Sequence, residues 1–220
     1  NGCNLLESSK AMMILLTNDD GICAEGLWAV YRRLSRAHRV QVVAPARERS
    51  AVGHSITLHR PLGVETLAVR DGLRGTAVGG TPVDCVKLAV LEVLDRRPDL
   101  VISGINAGAN VGVNINYSGT VSAAREAALY GIPAIAASVK GPAVRHFDAA
   151  AEFIARLVRR EGPKVCVFPI NGTRRWFILE HQANSVGSSG NAYLDIMSRR
   201  HVELYQLFFD HKIITYHFFI

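Results

Sequence analysis

Cysteine is scarce in this chain: four in 220 residues, at Cys3, Cys23, Cys85 and Cys166. They are widely spaced and form no CxxC pair, which excludes both a zinc ribbon and a disulfide framework and suits a reducing cytosol. Aromatic residues make up 7% of the chain and are not interleaved with basic ones. The formal charge of +6 is spread along the sequence rather than gathered into a stripe. Nucleic acid is therefore not expected as a partner. No apolar run reaches the ~20 residues that a membrane-spanning helix needs. The first apolar piece runs straight into two aspartates, which is not the build of a signal peptide. The chain also lacks a G-x-G-x-x-G fingerprint and a P-loop, so a dinucleotide cofactor is not expected. A cytoplasmic protein with no membrane partner is the resulting expectation.

What is present is a globular composition, 49% hydrophobic and 20% charged, long enough for a real core. The organising stretch is Met13-Ile14-Leu15-Leu16-Thr17-Asn18-Asp19-Asp20-Gly21. Its apolar run has the length of a buried parallel strand. Gly21 suits a sharp turn out of that strand, since glycine tolerates positive φ. In open α/β sheets ligands gather beyond the carboxyl ends of strands, where this turn falls. Adjacent carboxylates there repel each other and lose hydration, and a hard divalent cation relieves both costs. An ordinary solvated Asx turn is the plain alternative for these residues alone.

Apolar residues at helical spacing follow from Ala24 to Leu34, and Arg39 to Pro45 reads as a second strand. Strand, helix and strand in so short a stretch predict a right-handed βαβ unit in a parallel sheet. The polar loop from Ala46 to Ser55 follows at the same sheet edge, with Ser50 and His54 as possible site residues. Residues 56–78 alternate apolar and polar with Pro61, Gly63 and Gly72 between, which predicts a β-hairpin excursion. Thr81 fits a helix N-cap and Pro82 its first turn, with the helix continuing through Leu94. Leu100 to Ser103 reads as a third strand of the parallel series, ending in the glycine-rich loop Gly104 to Asn110. An Ala-rich helix then starts around Tyr117-Ser118-Gly119-Thr120 and ends near Gly131. Its unpaired first amides and positive dipole end suit a phosphate, and N-capping by Ser118 or Thr120 is compatible with that. Pro133 to Ser138 and Val165 to Phe168 read as strands, and Phe147 to Val158 as an amphipathic helix. The predicted fold is an α/β, Rossmann-like three-layer sandwich with a mostly parallel sheet.

Five blocks in order resemble the SurE (survival protein) family: ILLTNDDG from Ile14, APARERSAVGHSITLHRP from Ala44, GTPVDCVK from Gly80, SGINAGANVG from Ser103 and YSGTVSAAREAALYGIP from Tyr117. The resemblance spans roughly residues 13–162. It implies a metal-dependent phosphatase acting on nucleoside 5′- and 3′-monophosphates. It implies one Mg²⁺ or Mn²⁺ held by Asp19, Asp20, Ser50 and Asn106. Those are all oxygen donors, unlike the His and Cys of zinc sites. Asp19 and Asp20 are the implied catalytic residues, with Asp19 activating the water or attacking phosphorus directly. Ser118, Gly119 and Thr120 match the family segment that holds the substrate phosphate, and Asn110 matches a position lining the site. A haloacid-dehalogenase-like phosphatase fits less well, because its aspartates are separated in a DxDx(T/V) pattern. A catalytically weak or inactive protein that only binds nucleotide and metal is the remaining alternative.

Three expectations concern the ends of the chain. Residues 1–12 read as a non-native or disordered leader, residues 13–169 as the α/β domain and residues 170–220 as an atypical tail. The tail combines a polar middle with an apolar, β-prone end, Ile214 to Ile220, and a frame change is the favoured origin over a divergent arm. The family resemblance implies a homodimer or tetramer built with that region, so assembly is expected to be weaker here.

Overall fold

The computed structural model describes residues 11–69, 72–110, 112–139 and 147–162. Among the described residues six strands form one sheet: β1 (Met13–Thr17), β2 (Arg39–Pro45), β3 (Val64–Ala68), β4 (Arg74–Val78), β5 (Leu100–Ala107) and β6 (Ala134–Val139). Their order is β3-β4-β2-β1-β5-β6, parallel throughout except for the antiparallel β3–β4 pair. The hairpin expected over 56–78 is therefore present, and it extends the main sheet, because β4 pairs with β2.

Four α-helices among the described residues cover the sheet: α1 (Glu25–Leu34), α2 (Pro82–Leu88), α3 (Gly119–Leu129) and α4 (Phe147–Glu161). α1 packs on α4 across one face and α2 on α3 across the other, which makes three layers. β1 runs between both cores. Ile14 and Leu16 face the α1/α4 side, Leu15 faces the α2/α3 side, and all three are fully buried. Each such side chain contributes about 1.5–3 kcal/mol of burial, so a central, continuously apolar strand is what this segment is suited to be.

The connections place the site. From β1 the chain steps outward to β2 on one side, then returns to β5 on the other side of β1. That reversal opens a crevice at the carboxyl ends of β1 and β5, where α/β proteins bind ligands. The register is level, with Thr17 opposite Ser103.

Three boundaries differ from the sequence reading. β5 continues to Ala107, since pairing with β6 resumes at Asn106–Ser138 after a bulge. The helix expected from Pro82 to Leu94 narrows to α2 and then widens into a π turn over Ala89–Val93. Met12, placed in the leader by the sequence, is 9% exposed and its carbonyl accepts from Arg39 N at 2.9 Å. The expected strand at Val165–Phe168 and the tail at 170–220 lie outside the described residues.

Candidate active site

β1 stops at Thr17, and Asn18 Nδ2 donates to Gly21 O at 2.9 Å to close the following turn. Gly21 has φ of +94°, and a Cβ there would lie 3.0 Å from the backbone carbon of Arg47. Both the dihedral and the close approach require glycine. Within this turn Asp19 is buried and Asp20 half-buried. Burial pushes the Asp19 carboxyl above its ordinary range, although Thr120 hydrogen-bonds to it. Burial first, and then the charge of Asp19, push Asp20 up to about 6. Two carboxylates held this way are unfavourable as anions without a cation beside them.

Two loops are pinned to the pair by backbone amides. Arg49 N donates to Asp19 O at 2.7 Å, and Ala107 N donates to Asp20 Oδ2 at 3.4 Å. Ser50 and Asn106, the expected third and fourth ligands, each sit one residue from these tethers. Asn106 Nδ2 donates to Gly108 O at 2.7 Å, which assigns its nitrogen to the protein and leaves its carbonyl oxygen to a cation. Ser50 Oγ donates to Glu48 Oε1 at 2.5 Å.

The loop bearing Ser50 is clamped at four further points. Gly53 N donates to Tyr117 O at 2.9 Å, and His54 Nε2 lies 2.8 Å from Glu126 Oε2 on α3. Thr81 Oγ1 donates to Ser55 O at 2.7 Å, and Thr57 binds the buried Asp84 carboxylate through both its amide and its hydroxyl. Of these residues the sequence singled out His54 and the Thr81 cap. Glu126 carries no local signal beyond being an acid inside a helical stretch, and Asp84 only the spacing of a capping box three residues after Thr81.

α3 delivers its N-terminus directly onto Asp19. Ser118 is the N-cap, its Oγ accepting from Val121 N at 3.2 Å. Thr120 Oγ1 donates to Asp19 Oδ1, and the Thr120 backbone amide hydrogen-bonds to the same carboxylate, so both donors of Thr120 serve the aspartate. A Cβ added at Gly119 would lie 2.7 Å from Asp19 Cβ, 3.0 Å from Asp19 Oδ2 and 3.1 Å from Pro82 Cγ. Only glycine permits that approach. Gly119→Ala is therefore expected to displace Asp19 and lower any turnover that depends on this carboxylate by about 10²-fold, the cost of misplacing a reacting group by about an ångström. Steady-state kinetics alongside a melting curve checks this: unchanged kcat would show that the contact is dispensable. Asn110, expected to line the site, has its Nδ2 donating to Ser138 Oγ on β6 at 2.8 Å.

The donor set fits a hard divalent cation. Asp19 and Asp20 offer carboxylates with no counter-charge among the described residues, Ser50 a hydroxyl and Asn106 an amide carbonyl, all oxygens. Among the described residues no three of His, Cys, Asp and Glu gather as metal ligands, so a zinc-type set is not found there.

A model of the family described as Survival protein SurE matches residues 14–187. The chain belongs to the SurE family. The match runs past residue 162, so the boundary drawn at 169 falls inside the SurE range. A 5′-nucleotidase SurE of Desulfatibacillum aliphaticivorans is 63% identical over 147 residues, covering 67% of this chain and 58% of that protein. A second protein of that name, from Syntrophobacter fumaroxidans, is 52% identical over 161 residues, 71% of this chain and 64% of its own length. The chain thus spans less than two thirds of either relative. The crystal structure of the SurE protein from Aquifex aeolicus superposes with a TM-score of 0.63 at 38% identity, covering 71% of this chain and 66% of that one. The α/β three-layer architecture of SurE is shared.

Proposed function

We propose that this chain hydrolyses phosphomonoesters, with nucleoside 5′- and 3′-monophosphates as substrates and nucleoside and phosphate as products. The observation that carries the reading is the direct contact between the buried Asp19 carboxylate and the N-terminus of α3. It brings the group that handles the nucleophile within one residue contact of the amides suited to the phosphate. SurE membership and relatives named 5′-nucleotidase support the same substrate class.

Asp19, Asp20, Ser50 and Asn106 are assigned to hold one Mg²⁺ or Mn²⁺, which when bound neutralises phosphoryl charge and lowers the pKa of a water. Ser118, Gly119 and Thr120 are assigned to the phosphate because they form the positive end of α3. Asn110 is assigned to the lining of the site. Thr120 occupies Asp19 Oδ1, so Oδ2 is the oxygen left to take the proton of the attacking water. Release of phosphate from p-nitrophenyl phosphate and AMP, in EDTA-treated protein with and without restored Mn²⁺, tests the proposal. No turnover in either condition would leave a nucleotide-binding protein instead.

One helix N-terminus suits one phosphate, and no pyrophosphate cradle accompanies it. AMP and GMP are therefore expected to be cleaved at least several-fold faster than ADP or ATP. Faster phosphate release from ATP than from AMP would overturn this specificity.

No helix among the described residues is long and apolar enough to cross a membrane. We place the protein in the cytoplasm, where Cys23 and Cys85, both free thiols here, stay reduced. We further propose that residues 170–220 supply no catalytic group. Light scattering of the full chain and of a chain ending at Pro169 checks their part in assembly. A full-length dimer that dissociates on removing the tail would assign them to a genuine arm.

A further inference from the structure

Glu48 lies two residues before Ser50 and is absent from the assigned ligand set, yet it engages that set directly. Its Oε1 accepts the Ser50 hydroxyl at 2.5 Å. The backbone between Glu48 and Ser50 is fixed at Arg49, whose amide donates to Asp19 O at 2.7 Å. A serine hydroxyl has one proton and two lone pairs, and left alone it rotates freely. Handing the proton to Glu48 fixes the rotor and leaves the lone pairs of Oγ for another partner. Carboxylates that accept a hydrogen bond from a ligating group orient it and strengthen it as a donor.

We propose that Glu48 is a positioning residue for the divalent cation, acting through Ser50 by holding its hydroxyl proton. This rests on the assignment of Asp19, Asp20, Ser50 and Asn106 to that cation. It adds a fifth residue, which acts through a ligand and touches neither cation nor substrate. Because Glu48 and Ser50 are exposed, substitutions there are expected to leave the fold intact, and a melting curve on each variant verifies it.

The test is calorimetric titration of Mn²⁺ into the EDTA-treated full chain, a readout independent of turnover. Glu48→Ala is expected to weaken Mn²⁺ binding by about tenfold or more. Glu48→Gln is expected to lose less, since its amide oxygen still accepts the hydroxyl proton. In a Ser50→Ala background, Glu48→Ala is expected to cost less than about threefold, because the group it acts through is gone. Equal losses in both backgrounds would make Glu48 a direct ligand or a general charge and overturn the proposal. Unchanged binding in Glu48→Ala, with binding lost in Asp20→Asn, would overturn it while leaving the cation site in place. Failure of Asp20→Asn to affect binding would overturn the cation site and this inference with it.

Discussion

Asp19→Asn lowers kcat/KM for AMP by on the order of 10³-fold or more, and the thermal midpoint of the metal-free protein at pH 7 stays level or rises. The first half follows from the position of the carboxylate. Asp19 is assigned both to the cation and to the attacking water, and losing a group used at the reacting centre costs this much in well-studied hydrolases. The second half follows from its burial. Desolvation raises the Asp19 carboxyl above its unfolded value, so the folded chain binds that proton more readily than the unfolded one. Above both values the ionised group therefore opposes folding, and stability falls as pH rises through that range. Asparagine has nearly the same shape and carries no charge to desolvate. Its Oδ1 still accepts from Thr120 Oγ1. Asp20→Asn is expected to act in the same direction, since burial and its neighbour push that carboxyl up to about 6. Kinetics on EDTA-treated, Mn²⁺-restored protein and a paired melting curve decide the matter. Near-parental activity in either variant would overturn the site, and a large loss of midpoint would assign Asp19 to the fold instead.

The central strand and the turn after it were legible because their cause is local. Five consecutive buried residues ending in Asn-Asp-Asp-Gly specify a strand and a tight turn without reference to anything distant. The same holds for α2, where Thr81, Pro82 and Asp84 form a complete capping box within four residues. β5 was read too short for a corresponding reason. Small and polar residues after Ser103 resemble a loop, and only pairing with Ser138 and Val139 on β6 keeps Asn106 and Ala107 in the sheet. β4 illustrates the point again: alternation showed a hairpin, but its parallel pairing with β2 is a tertiary fact.

The site divides in the same way. Asp19 and Asp20 stand out as adjacent carboxylates at a strand end, whereas the full set with Ser50 and Asn106 is what the SurE resemblance implies. How they are held was not nameable. The contact of Thr120 with Asp19 joins residues 101 positions apart, and that of His54 with Glu126 joins residues 72 apart. Glu126 is 7% exposed, an unusual burial for an acid, and nothing in an Ala-rich helix announces it. Thr120 shows how a position can be read without its contacts. It lies in the first turn of α3, and its hydroxyl serves the aspartate.

Asp84 is the most consequential of these hidden clamps, and Asp84→Ala is expected to destabilise the protein by about 3 kcal/mol, lowering the midpoint by roughly 6–12 °C. Its carboxylate is 2% exposed and accepts from Thr57 N at 2.9 Å, Thr57 Oγ1 at 2.7 Å and Thr81 N at 2.9 Å. Alanine leaves three donors without their acceptor, each carrying a desolvation penalty. Asparagine does not repair this, because its NH₂ meets donors where Oδ1 or Oδ2 accepted. Burial alone pushes the Asp84 carboxyl up, but the hydrogen bonds from Thr57 and Thr81 outweigh it and hold it below the ordinary value of 3.8. The sign follows: a carboxyl depressed in the folded chain adds stability above its unfolded pKa, and that contribution is lost as pH falls through the folded value. Acid melting curves of the parent are expected to drop more steeply below about pH 4 than those of Asp84→Ala. The clamp also holds Thr57, and Thr81 beside it holds Ser55, so releasing it loosens the chain that leads back to Ser50. Mn²⁺ binding should weaken several-fold in the same variant, below its melting temperature. A midpoint within about 1 °C of the parent would show that the three hydrogen bonds are replaced by water and that the loop is held by its other contacts.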